Sequence, residues 1–151
     1  MKHLILVFMF LILASVATAQ TQTDIKTLLT TSGSKVIAVE GATKIDINTA
    51  KTLHERGVRF IDTRGLYSWE NGHIPGAVAL HPSYFKEADL MGIVDKNEEV
   101  VFYCDCDVGS STCNLSPHAS AIAVAWGYQN VSYFTNSNEW GPAGYPIEKA
   151  E

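Results

Sequence analysis

Three cysteines make up the thiol content of this chain, and all of them lie within one short span, at Cys104, Cys106 and Cys113. Cys104 closes the apolar run VVFYC, and the segment DCDVGSSTCNL leads from it to Ser116, Pro117 and a stretch with helical spacing. A thiol between the carboxyl end of a buried strand and the start of a helix is placed where backbone N–H groups converge. Such surroundings favour a thiolate and bind anions, so Cys104 is the expected nucleophile. If the segment curls back over the sulfur, its residues and Ser116 form the substrate-binding wall. Val108, Gly109, Ser110, Ser111 and Thr112 contribute amides and hydroxyls, while Asp105 and Asp107 flank Cys106 with negative charge. Those carboxylates disfavour a nearby thiolate and repel anionic reactants.

An odd thiol count allows at most one intramolecular bridge. Joining Cys106 to Cys113 would cinch the loop, leave Cys104 for chemistry and stabilise by about 2 to 3 kcal/mol. Joining Cys104 to Cys113, or to Cys106, would instead make that partner a resolving thiol and the loop a redox switch. The choice among these pairings is one of geometry, and the sequence leaves it open. Cys104, Cys106, Cys113 and His118 also have enough soft donors for zinc or copper(I). Cys-x-Cys is less common in zinc sites than Cys-x2-Cys, and a histidine in a first helical turn reads more simply as solvated, so no metal is assigned.

The chain begins with Lys2, an apolar run from Leu4 to Ala14 and small residues at Ala17, Thr18 and Ala19. This reads as a signal peptide over residues 1–19, cut before Gln20. The run is shorter than the roughly 20 residues that span a bilayer, so no membrane contact is expected after cleavage. The protein is expected to be exported, periplasmic or secreted, where disulfides persist. Residues 20–34 form a polar lead-in, and residues 35–151 suffice for one domain. The formal net charge is −5 and no cluster of Lys or Arg occurs, which argues against nucleic acid as a partner.

The elements that must position Cys104 follow from local patterning. KVIAVE, VRFIDT, GAVAL, VVFYC and NVSYFT read as strands. INTAKTLHERG reads as a helix with Asn48 as N-cap, Leu53 inward and Gly57 at its end, and LYSWEN as a short helix. SPHASAIAVAWG places Ser116 at an N-cap, Pro117 at the first helical position and Ala119, Ile122, Ala123 and Trp126 on one apolar face. Strands alternating with helices indicate an α/β domain with a largely parallel sheet, whose sites form at the carboxyl ends of the strands.

FIDTR, GHIPGAVAL, VVFYC, WGYQNVSYF and EWGPAGYPIE occur in this order, and over residues 45–149 the chain resembles the rhodanese-like domains of single-domain type. The resemblance implies a five-stranded, mainly parallel sheet flanked by helices, with Cys104 as the nucleophile. It implies a covalent persulfide on Cys104 and no separate cofactor, with a small sulfur donor and a thiol or protein acceptor as partners. Asp62 and Arg64 match the family's aspartate and arginine after the second strand and are expected to form a structural ion pair near the site. His73 belongs to a turn common to the fold, with a packing or hydrogen-bonding role. Three departures stand out: the loop is long, Leu115 replaces the arginine expected before the helix, and NSNEW replaces a Gly-Gly before the last tryptophan. Thiosulfate is therefore an unfavoured donor. A sulfurtransferase or persulfide carrier, a thiol redox protein and a non-catalytic binding module are the classes that follow, in that order.

Overall fold

A computed structural model describes residues 25–32, 35–105 and 114–150. The expected signal peptide lies outside these residues. Five parallel strands make the central sheet, in the spatial order β3-β7-β6-β4-β5. They are β3 (Ala42–Lys44), β4 (Arg59–Asp62), β5 (Val78–Ala79), β6 (Glu99–Tyr103) and β7 (Asn130–Phe134). The helices that connect and cover them are α1 (Ile47–Glu55), α2 (Leu66–Asn71), α3 (Glu87–Met91) and α4 (Leu115–Ala125), followed by a 3-10 turn at Ser137–Glu139.

Side chains alternate across a strand, so each central strand feeds two cores. Val100 and Phe102 of β6 join Ile61, Val131 and Tyr133 on the face packed by Ala119, Ala121 and Ala123 of α4. Val101 and Tyr103 point the other way, with Phe60, Phe134, Trp140 and Ala50 of α1. β6 is buried along Val100, Val101, Phe102 and Tyr103, as its uninterrupted apolar pattern requires of a strand covered on both faces. The same alternation directs the next side chain, Cys104, towards α4.

The edge of the sheet differs from the sequence expectation. KVIAVE supplies β2 (Lys35–Val39), which leaves the main sheet and pairs antiparallel with β1 (Leu29–Ser32), a strand within the polar lead-in. A turn through Gly41, at φ 79°, lets β3 take the edge position beside β7 instead. This turn lies against α4: a Cβ on Gly41 would stand 2.7 Å from Val124 Cγ1. Val36 and Val39 of the hairpin are buried in the core on the α4 side.

Two helix starts also move. α1 is capped by Asp46, whose carboxylate accepts the Thr49 N–H at 2.7 Å, so Asn48 lies inside the helix. That bond holds the Asp46 carboxyl below the usual range. Leu53 is only partly buried, and Ala50 takes the fully covered position. α4 begins at Leu115 after Asn114, with no side-chain cap. Pro117 thus occupies the third helical position, where its missing N–H is still one of the four that a helix leaves unpaired. Ile122 and Trp126 lie at its partly covered margin.

Candidate active site

Cys104 follows β6 directly and has no exposed surface. Neighbouring backbone fixes it: its N–H donates to Phe134 O at 3.3 Å, and its carbonyl accepts the Ser137 N–H at 3.2 Å. Thr63, at the end of β4, binds the preceding Tyr103 carbonyl through both its N–H (3.0 Å) and its hydroxyl (2.7 Å). Three strand ends are therefore laced together around the thiol.

Cys104 Sγ lies 3.1 Å from Ser116 Oγ, and the Ser116 hydroxyl donates to Phe134 O at 2.9 Å. Ser116 does not cap the helix; its side chain turns onto the cysteine. With the cysteine protonated, the S–H can donate to Ser116 while Ser116 donates to the Phe134 carbonyl. In the thiolate the serine hydrogen has two competing acceptors. Burial raises the Cys104 thiol above its ordinary range. The Ser116 hydroxyl and the Ser116 and Leu115 N–H groups act against that rise, while Asp105 adds to it. The helix start thus favours the thiolate as anticipated, yet desolvation outweighs it. Leu115, which the sequence marked as a missing arginine, contributes through its backbone.

Asp62 and Arg64 form a tight pair beside this centre. Asp62 is fully buried, and Arg64 reaches it through Nε at 2.9 Å and Nη2 at 2.6 Å. Nη2 also donates to Gly72 O at 2.7 Å, tying the end of β4 to the turn before β5. Burial alone would lower the Arg64 pKa, but the bonds and charge of Asp62 outweigh it and raise the value. Arg64 Nη1 stands 3.8 Å from Asp105 Oδ2, and the guanidinium lies over the Tyr103 ring at 5.6 Å. One cation therefore sits between a framework carboxylate and the first carboxylate of the loop.

His73 is buried and stacks on Trp69, with ring centroids 4.2 Å apart. Its Nδ1 lies 2.7 Å from Trp69 O, a carbonyl that can only accept, so the proton is on Nδ1. Glu148 Oε2 is 3.6 Å from Nε2. His118 in α4 turns its Nδ1 to Asn114 O at 2.8 Å. No group of three His, Cys, Asp or Glu side chains able to hold a metal occurs among the described residues. Cys106, Asp107, Val108, Gly109, Ser110, Ser111, Thr112 and Cys113 lie outside those residues, and with them the disulfide pairings and half of the four-donor set.

Several contributors had no sequence signal. Asn114 accepts the Val36 N–H at 2.7 Å, joining the added hairpin to the residue before α4. Asn136 forms a bridge with Asp105 across the strand ends. A half-open cavity of about 420 Å³ adjoins Arg64 and is walled by Leu66, Leu80, His81, Tyr84, Phe85 and Asp89. His54, which had no evident partner, places Nε2 2.9 Å from Pro75 O.

The sequence profile described as Rhodanese-like domain matches residues 47–140. A tRNA uridine(34) hydroxylase from Buchnera aphidicola is 27% identical over 96 residues, which cover 59% of this chain and 30% of that protein. The chain therefore spans under a third of this relative. Among solved structures, the BH2092 protein of Bacillus halodurans superposes with a TM-score of 0.59 at 20% identity, covering 71% of this chain and 77% of that one. A variant of EanB, solved as a cysteine persulfide in a tetrahedral intermediate state with ergothioneine, gives a TM-score of 0.55 at 22% identity, covering 72% of this chain and 28% of that one. The fold, the buried cysteine after its central strand and the matched profile agree: this chain belongs to the family of rhodanese-like domains.

Proposed function

We propose that this protein is an exported sulfurtransferase or persulfide carrier in which Cys104 takes a sulfane sulfur and passes it to a thiol or protein acceptor. One observation carries the reading: Cys104 stands at the end of β6, beside the first amides of α4, with Ser116 Oγ 3.1 Å from its sulfur. In the loading step, the thiolate attacks the outer sulfur of a donor R–S–SH. A new S–S bond forms on Cys104, the donor's S–S bond breaks, and its electron pair leaves on RS⁻. In the second step an acceptor thiolate attacks the outer sulfur, and the pair returns to Cys104. Amides and the Ser116 hydroxyl hold the charge that each step leaves on sulfur. A cysteine persulfide in the EanB fold neighbour supports the chemistry by analogy. Export is read from the basic and apolar start of the sequence.

Asp105 shapes the choice of donor. Its carboxylate adds to the rise in the Cys104 pKa and opposes a dianion, although Arg64 partly offsets its charge. A monoanionic or neutral organic persulfide is the favoured donor over thiosulfate.

Peptide mass mapping after exposure to ethyl persulfide or thiosulfate tests the assignment. Cys104 should gain one sulfur atom, faster from the organic persulfide, and Cys104→Ser should abolish that gain at this position. Loading on another residue with Cys104 unchanged would overturn the reading.

A further inference from the structure

The cavity beside Arg64 is not used by the loading chemistry, yet its position fits the second half of the transfer. Ala79 of β5 faces Asp62 of β4 in register, and Asp62 faces Tyr103 of β6. Neighbouring strands lie about 4.8 Å apart, so the end of β5 is about 10 Å from the end of β6 that precedes Cys104. Both ends belong to the carboxyl edge, where sheets of this kind place their ligands. Arg64 is a shared wall: it lines the cavity and approaches Asp105, the residue after Cys104.

The lining selects a chemical class. Leu66 and Leu80 provide aliphatic surface, and Phe85 is held edge-on by Trp126. His81 and Tyr84 form a tilted pair with centroids 5.1 Å apart. Leu66 and Tyr84 remain 60% and 79% exposed, an arrangement that leaves large apolar side chains in water around a concavity. A volume of about 420 Å³ is that of a small-molecule site. Charge narrows the class further. Arg64 is bound through Nε and Nη2 to Asp62, leaving Nη1 with the longer Asp105 contact as the cationic edge, while Asp89 lines the same cavity. Asp89 and Asp105 oppose a body carrying carboxylates, whereas one thiolate can approach the cationic edge.

We infer that this cavity is the acceptor subsite, and that the acceptor is a small thiol on an uncharged aromatic or aliphatic body. This rests on the sulfur-carrier reading of Cys104. The body lies against Leu66, Leu80, Tyr84 and Phe85, and its thiolate points past Arg64 towards the loaded cysteine. In the transfer RS⁻ attacks the outer sulfur of Cys104–S–SH. The product is R–S–SH, and the broken S–S bond leaves its electron pair on Cys104; no external oxidant or reductant is needed.

The test separates the subsite from the loading step. Protein loaded with ethyl persulfide is discharged by phenylethanethiol or by mercaptoethanol, and the rate ratio is compared with that of the same thiols acting on ethyl persulfide alone. The protein should favour phenylethanethiol over that reference, and Tyr84→Ala and Leu66→Ser should each reduce this preference by about fivefold to tenfold. Both side chains are largely exposed, so trimming them spares the core. In parallel, methyl phenethyl sulfide, which cannot accept sulfur, is titrated into the unloaded protein and followed by amide NMR. Shifts centred on Leu66, Leu80 and Tyr84 are expected. A preference equal to the reference, or shifts absent from these residues, overturns the subsite. Failure of Cys104 to load overturns the carrier reading, while the titration still decides whether the cavity binds such a body.

Discussion

Replacing Ser116 by alanine isolates the contact closest to the proposed nucleophile. Ser116 Oγ is 3.1 Å from Cys104 Sγ in a fully buried setting, and its hydrogen also serves the Phe134 carbonyl. A hydrogen bond to a charged group contributes about 1.5 to 3 kcal/mol. Competition from Phe134 places the net effect on the thiolate at the lower end of that range. Since 1.4 kcal/mol is a factor of ten, the thiolate fraction below the thiol's titration should fall by about tenfold. The profile of alkylation rate against pH should move to higher pH, because the neutral thiol is penalised less than the anion. Iodoacetamide labelling across pH, with Cys104 followed by peptide mass, reads this directly. Thermal unfolding verifies that the variant remains folded. An unchanged profile, or one displaced to lower pH, would refute the claim that Ser116 stabilises the anionic sulfur.

Three further outcomes follow from the geometry. Burial raises the Cys104 pKa, so the folded state retains a proton that the unfolded chain releases; the group's contribution is complete below the unfolded thiol range and declines above about pH 8.5. Urea titrations should therefore show the stability difference between the wild type and Cys104→Ala narrowing as pH rises, and a constant difference would contradict it. Arg64→Met should cost about 3 to 5 kcal/mol in equilibrium unfolding because it strands the buried Asp62 carboxylate, while adding Asp62→Asn should restore most of the loss. Equal stability of the single and double variants would remove the ion-pair argument. Gly41→Ala combines a left-handed backbone with a 2.7 Å approach to Val124 Cγ1, and calorimetry should show a loss of about 1 to 3 kcal/mol.

Much of this arrangement was legible because several signals were local. LYSWEN forms α2 over the expected span, and the apolar continuity of VVFYC marks the buried central strand. Asp62 and Arg64 could be named from family resemblance, but their joint hold on the Gly72 carbonyl depends on a turn brought back in space. The edge strand was misplaced because the three residues of β3 have little pattern of their own, while KVIAVE has the stronger β-like run. Strand pairing, rather than propensity, decides between them. Ser116 was read as a cap because serine commonly serves there; a sulfur one hydrogen bond away competes for the same hydroxyl. The cavity had no contiguous motif, since its walls come from the end of β4, the end of β5 and the segment before α3.

The two flanks of residues 106–113 are held by different parts of the molecule. Cys104 and Asp105 are fastened to the β7 side through Ser137 and Asn136, whereas Asn114 is fastened to Val36 of the hairpin. These attachments run through backbone groups and through the Asn114 side chain. The scaffold thus gives the chain an anchored junction on each side of these residues. Doubling the length of a flexible insert costs only about 0.6 kcal/mol in closure entropy. A longer or shorter stretch joining two anchored ends therefore changes the domain's stability little through closure alone.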